Sequence, residues 1–176
     1  LLSDKENIKK EALKYLDIFK DHPYIFNLGH GVLPETNPMM IDYLVKLVND
    51  YYMKKAVILF NLGGPDKLES VEPFLFNLFN DPAIISIPSI IRYPLAKIIS
   101  KRRAPIAKDI YREIGNKSPI LELTQQQSES LENNLKKEGD YKCFVVMRCW
   151  HPRAEKVIED VKRYNPEEVI LLPLYP

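Results

Sequence analysis

Cysteine is scarce: the chain has two, Cys143 and Cys149, in 176 residues. Two thiols cannot build the multi-bridge framework of a small secreted domain, and they fit a reducing compartment. No stretch approaches 18 uninterrupted apolar residues, so no helix is expected to span a bilayer. Neither sign of charge dominates. The net charge is +1, with a slight acidic excess before Met53 and a slight basic excess from there on. Neither part carries the one-sided basic charge of a nucleic-acid-binding domain. The opening, LLSDKENIKK, lacks the basic stretch and apolar run of a secretory leader. It also lacks a Met and enters a helical pattern at once, which leads us to expect an upstream part. Neither G-x-G-x-x-G nor a P-loop occurs. Cys143, Cys149 and His151 do not make a zinc spacing.

What is there supports a packed core: 45% of residues are apolar and 28% charged, a balance that argues against disorder. Residues 5–19 place Ile8, Ala12, Leu13, Leu16 and Phe19 at helical spacing, with Ser3 or Asp4 as cap. Tyr24 to Leu28 reads as a short buried strand closed by Gly29 and Gly31. Thr36 or Asn37 then caps a helix with Pro38 near its first position and Met40, Tyr43, Leu44 and Leu47 on one face. One strand between two helices cannot make a core alone. The chain up to about Tyr52 therefore reads as the tail of a larger parallel α/β fold.

A new unit opens at Met53. Ala56–Leu62 is a predicted strand, Gly63-Gly64-Pro65 a tight turn, and Ser70–Phe79 a helix with Val71, Phe74, Leu75 and Leu78 inward. Residues 82–100 are apolar but interrupted by Pro82, Pro88 and Pro94, which predicts no continuous helix there; one restarts at KRRAPIAKDIYREIG. Ser118-Pro119 opens another, to about Lys137. Cys143–Met147 is a strand, Pro152–Tyr164 a helix and Val169–Leu174 a last strand. Alternation of this kind predicts a parallel, doubly wound, Rossmann-like sheet, here with half the usual number of strands.

Two resemblances divide at Met53. YIFNLGHGVLPETNP, residues 24–38, resembles the C-terminal end of uroporphyrinogen decarboxylase, a TIM-barrel family, and the likeness extends over residues 1–52. It implies a terminal β/α fragment of that barrel, with His30 at a strand end where the family contacts its porphyrinogen substrate. Without the rest of the barrel that contact is vestigial. From residue 53 the chain resembles the first half of ferrochelatase. The matching stretches are NLGGPD (61–66), FLFNLFND (74–81), KRRAPIAKDIYREIGNKSPI (101–120) and MRCWHP (147–152). This resemblance implies heme biosynthesis, a lyase inserting ferrous iron into protoporphyrin IX, with iron as substrate and no bound cofactor. It implies a cytoplasmic protein, peripheral to the inner face of a membrane.

The same resemblance assigns the substrate-binding residues. Arg103, Tyr111 and Ser118 match the positions that hold the porphyrin propionates, and their fork and hydroxyl donors suit carboxylates. Leu62 edges the macrocycle where relatives carry Met or Tyr, and it can only pack. Arg148 is a candidate pocket residue, and Cys149 stands where the family usually has Tyr. Residues 82–100 correspond to the lip over the slot and to a surface for peripheral membrane contact, with Arg92, Lys97 and Lys101 toward headgroups. The family's catalytic histidine and acid come from its second half, so no catalytic residue and no metal ligand is expected in this chain. An iron–sulfur cluster needs four ligands, and two cysteines cannot supply them.

Each assignment competes with a plainer one. KRR can be a solvated basic face, Tyr111 a packing residue, 82–100 a pair of core-covering helices, and NLGGP a tight turn without ligand. The chain as a whole can be a porphyrin-binding fragment without chemistry, or an inert fusion of two heme-pathway genes. The division at Met53 also predicts a protease-open linker over residues 49–55.

Overall fold

The computed structural model describes residues 4–22, 24–27 and 31–175. Three parallel strands form its one sheet: β1 (Lys55–Asn61), β2 (Tyr141–Met147) and β3 (Glu168–Pro173), in the order β2-β1-β3. The register pairs Lys55 with both Tyr141 and Glu168, and it runs to Asn61 opposite Met147. Central β1 is an apolar run because helices cover both of its faces, and Ala56, Val57 and Leu59 are buried.

The helices are α1 (Lys5–Phe19), α2 (Pro38–Tyr52), α3 (Val71–Phe79), α4 (Ser89–Glu113), α5 (Ile120–Leu135) and α6 (Ala154–Tyr164). Helix α6 lays Val157 and Val161 onto Ala56, Phe144 and Val146. It ends at Asn165 in the left-handed conformation (φ 54°), which Asn tolerates better than most residues. Helix α1 starts where Asp4 accepts a hydrogen bond from the Asn7 amide at 2.8 Å, and α2 where Asn37 accepts from the Met39 amide at 3.0 Å. Of the alternative caps read from sequence, Asp4 and Asn37 are the ones used. Ile8, Ala12 and Leu44 pack the two helices together, with Met40, Tyr43 and Leu47 beside them as the periodicity indicated.

Three expectations need correction. Residues 24–27 form no strand, and Ile25 is 88% exposed. An extended segment becomes a strand only where a neighbour satisfies its amides. Here side chains hold it instead: Tyr24 stacks on Phe19 at 4.5 Å, and Phe26 packs between α1 and α2. Leu28, Gly29 and His30 lie outside the described residues. The β/α barrel fragment therefore reduces, as described, to two paired helices.

The second correction concerns α4. It runs unbroken for 25 residues through Pro94 and Pro105. Both prolines are exposed, so the carbonyls they strand, those of Ile90 and Lys101, can be met by water. Between them Ala96, Ser100 and Ala104 form a buried small-residue seam, with Ala104 packed on Val71, Phe74 and Leu75 of α3. Packing along that seam outweighs the two lost hydrogen bonds. Pro82 and Pro88 behave as read, since the helix begins only after Pro88.

The third is the linker. The Asp140 amide donates to Tyr51 O at 3.1 Å and the Lys55 amide to Asp140 O at 2.9 Å. Tyr51 is 5% exposed, and Lys9 pairs with Glu138 at 2.5 Å. Residues 49–55 are thus tied to the start of β2 rather than free.

Candidate functional site

The sheet delivers its chemistry at one edge. Leu62 follows β1, Arg148 follows β2 and Tyr175 follows β3, all at the carboxyl ends of parallel strands, where open α/β sheets bind ligands. Asn61 sets the turn after β1. Its side-chain oxygen accepts from the Leu62 amide at 2.8 Å, and its amide group donates to Thr124 Oγ1 at 3.0 Å. The loops after β1 and β2 then join: the Arg148 amide donates to Asn61 O and the Cys149 amide to Leu62 O, each at 2.9 Å.

Two glycines make the joint possible. Gly63 has φ 89°, a conformation that disfavours any side chain. At Gly64 an added Cβ would overlap the Ser118 hydroxyl and lie 2.5 Å from Ser118 Cβ. NLGGP is therefore the tight turn of the plainer reading, and it also fixes where Ser118 sits. The Ser118 amide donates to Pro65 O at 2.8 Å, and its hydroxyl oxygen faces the Ile120 amide at 3.4 Å where α5 begins.

Beside this turn lies an apolar cluster of Val71, Phe74, Leu75, Ala104 and Cys149, joined by Leu62, Phe79, Tyr111 and Trp150. Leu62 and Tyr111, distant in sequence, meet here. Burial pushes the Tyr111 phenol above its ordinary range. Burial likewise pushes up the Cys149 thiol, and a buried neutral thiol packs as a small hydrophobe. Arg103 is exposed about two turns before Tyr111 on α4, with its guanidinium carbon 5.8 Å above the Phe79 ring. An unpaired arginine over an aromatic floor is a cation available to an anionic guest.

Arg148 is differently placed. Its Nε meets Asp81 Oδ2 at 2.5 Å and its Nη2 meets Asp81 Oδ1 at 2.9 Å, while Nη1 lies 3.4 Å from the Tyr175 hydroxyl. The fork is taken up within the protein. That hydrogen bonding holds the Asp81 carboxyl below its usual range and raises the guanidinium further. Arg148 ties the ends of α3, β2 and β3 together at the site's margin. Arg92, read as a headgroup contact, instead donates to Asn80 O and Ile87 O at 2.9 and 2.7 Å. Lys97 and Lys101 remain exposed.

Sequence reasoning passed over Trp150 and the cavity beside it. That cavity, about 300 Å³, is lined among others by Gly64, Asp66, Lys117, Ser118, Trp150 and Lys156. Asp66 accepts the Ser70 hydroxyl at 2.5 Å, the main reason its carboxyl is held low. The nearby Trp150 indole contributes in smaller part but is not at hydrogen-bonding geometry. The WHP tripeptide after MRC was the one visible pointer. Among the described residues no three His, Cys, Asp or Glu side chains converge as a metal site, and no helix is long and apolar enough to cross a membrane.

These features define a class: a parallel α/β protein with an apolar, donor-edged site at the carboxyl ends of its strands. Residues 54–176 match the family model for Ferrochelatase, and residues 1–51 match that for Uroporphyrinogen decarboxylase (URO-D). A curated Ferrochelatase of Pelagibacter ubique is 68% identical over 127 residues, covering 70% of this chain and 37% of the relative. Ferrochelatases of Wolbachia sp. subsp. Drosophila simulans and Rickettsia bellii are 58% and 54% identical over 126 and 123 residues, covering 40% and 35% of those relatives. The chain belongs to the ferrochelatase family, and it spans well under half the length of these relatives.

Proposed function

We propose that residues 53–176 carry the first wall of a ferrochelatase porphyrin site, and that the whole protein inserts ferrous iron into protoporphyrin IX. The observation that supports this best is the meeting of Leu62 and Tyr111 in one apolar cluster with Arg103 exposed over its Phe79. Such a surface suits a flat apolar disc with carboxylates on one edge. The groups that accept the pyrrole protons belong, in this reading, to a second half outside the chain. Residues 1–52 are, in this reading, derived from a decarboxylase, and His30 has no role there. Ferrous iron is substrate, and the chain holds no cofactor.

Residues 82–100 supply the lip, where Ile84, Ile90, Ile91, Tyr93, Leu95 and Ile98 are exposed. With Lys97 and Lys101 they suit peripheral contact with the inner face of a membrane in a cytoplasmic protein. Arg148, already engaged by Asp81, sets the margin of the pocket and does not reach the ligand.

Protoporphyrin titration of the full chain, followed by porphyrin fluorescence, tests the reading. A charge-assisted hydrogen bond contributes about 1.5–3 kcal/mol, less in an open, wet site. Arg103→Ala is expected to weaken binding by up to about tenfold, the ratio for about 1.4 kcal/mol. Added salt acts in the same direction. Arg163→Ala, whose side chain pairs with Asp160 on exposed α6, serves as control. Equal binding by parent and both variants overturns the propionate assignment. The second reading, a binding fragment or inert fusion without chemistry, draws on the short span relative to the relatives. Porphyrin metalation by the chain above a no-protein control would reject it.

A further inference from the structure

Trp150 is the chain's single tryptophan. Its indole nitrogen is buried without a hydrogen-bond partner, the one side-chain nitrogen or oxygen so placed among the described residues. Folded proteins rarely leave a buried donor unpaired, because losing its water without replacement is unfavourable. The Asp66 carboxylate lies beside this indole, short of hydrogen-bonding geometry. Its carboxyl is held below the ordinary range, first by the Ser70 hydroxyl and in smaller part by the indole, so it is an ionised acceptor near neutrality. Glu122, the other carboxylate lining the same cavity, is paired with Lys117.

The turn that carries Asp66 touches Trp150 at a second point. A Cβ added at Gly63 would lie 3.2 Å from both the Trp150 Cβ and its amide nitrogen. Asp66 accepts the Ser70 hydroxyl at 2.5 Å just ahead of α3, and an ionised carboxylate has acceptor sites to spare for a second donor. Asp66 is exposed, so its side chain has room to turn toward the ring. Trp150 itself packs into the apolar cluster that holds Leu62 and Tyr111. A carboxylate that takes both Ser70 and the indole fixes the start of α3, the turn after β1 and the loop after β2 in one arrangement.

We propose that Asp66 accepts the Trp150 indole N–H and is thereby a positioning residue for the apolar wall that Trp150 shares with Leu62 and Tyr111. This rests on the porphyrin reading above and adds to it a residue that acts through the wall without touching the ligand. The test compares Asp66→Asn with Asp66→Ala in the full chain, titrated with protoporphyrin IX. Both variants remove the same charge, so the difference between them reads the acceptor alone. Asp66→Asn keeps an oxygen for Ser70 and the indole, and Asp66→Ala does not. Asp66→Ala should bind protoporphyrin about two- to tenfold more weakly than Asp66→Asn, the range for one net hydrogen bond. Equal binding by the two variants overturns the positioning role.

Should Asp66→Ala fail to fold by circular dichroism, the parent and the near-isosteric Asp66→Asn answer through the chain's one indole N–H resonance, without ligand. A carboxylate is the stronger acceptor, so the resonance should lie further downfield in the parent than in Asp66→Asn. An unmoved resonance overturns the proposal. Arg103→Ala in the same porphyrin titration separates the two levels. If Arg103→Ala weakens binding while Asp66→Ala and Asp66→Asn bind alike, only the Asp66 role falls. If none of the three variants changes binding, the porphyrin reading falls with it.

Discussion

The chain contains two apolar segments of similar composition with opposite fates. AVILF, residues 56–60, became the centre of a sheet, and YIF, residues 24–26, became no strand at all. In the first, a parallel strand pairs along each edge, and Leu59 is 1% exposed. In the second, no described strand lies alongside, and Ile25 faces solvent while only its neighbours pack. Apolar patterning proposes an element, and partners for its backbone decide whether the element forms.

Truncation gives the largest contrast. Leu59→Ala should lower the unfolding free energy by about 2–5 kcal/mol, whereas Ile25→Ala should change it by less than about 0.5 kcal/mol. Urea denaturation of both variants measures this. Similar costs would mean that residues 24–27 share the core after all.

A smaller effect probes the margin of the site. Asp81 is held ionised first by its hydrogen bonds from Arg148, so its folded pKa lies below its unfolded value. The associated stability is fully present above about pH 4, near the ordinary carboxyl pKa, and is lost as pH falls through the depressed value. Arg148→Ala should therefore lower stability near neutrality and flatten the acid limb of the stability–pH curve. An unchanged acid limb would show that the pair does not hold the strand ends together.

The smallest contrast is kinetic. Chymotrypsin should cut at Tyr24, Phe26 or Leu33 before Tyr51 or Tyr52, because the latter end helix α2, with the Tyr51 carbonyl bonded to the Asp140 amide, while the former have no backbone ladder. First cleavage at residues 51–52, read by mass spectrometry, would restore the open linker that the sequence suggests.

Much of the second unit was legible before any coordinates. Apart from α4, its strands and helices fall within a few residues of the periodic pattern, because each has partners inside the chain and its burial follows directly from period and cap. Leu62, Arg103, Tyr111 and Ser118 were singled out by motif, and the fold shows how the first three are related through one cluster. The partners of Arg92 and Arg148 were not legible for a common reason: an arginine's chemistry is evident from sequence, but what its fork meets depends on groups far along the chain, here Asn80 and Ile87 carbonyls and the Asp81 carboxylate.

By itself, then, the sequence determined the alternation of strands and helices, the starts of the first two helices to within a residue, and the turn at Gly63-Gly64, because these depend on residues within a few positions of one another. Only the tertiary structure decided that α4 survives two prolines, since the deciding term is the Ala96–Ser100–Ala104 seam against a different helix. Only it decided that residues 24–27 lack a ladder, and that the Trp150 indole is buried without an acceptor. Hydrogen-bond satisfaction and packing are sums over neighbours in space, and chain order does not name those neighbours.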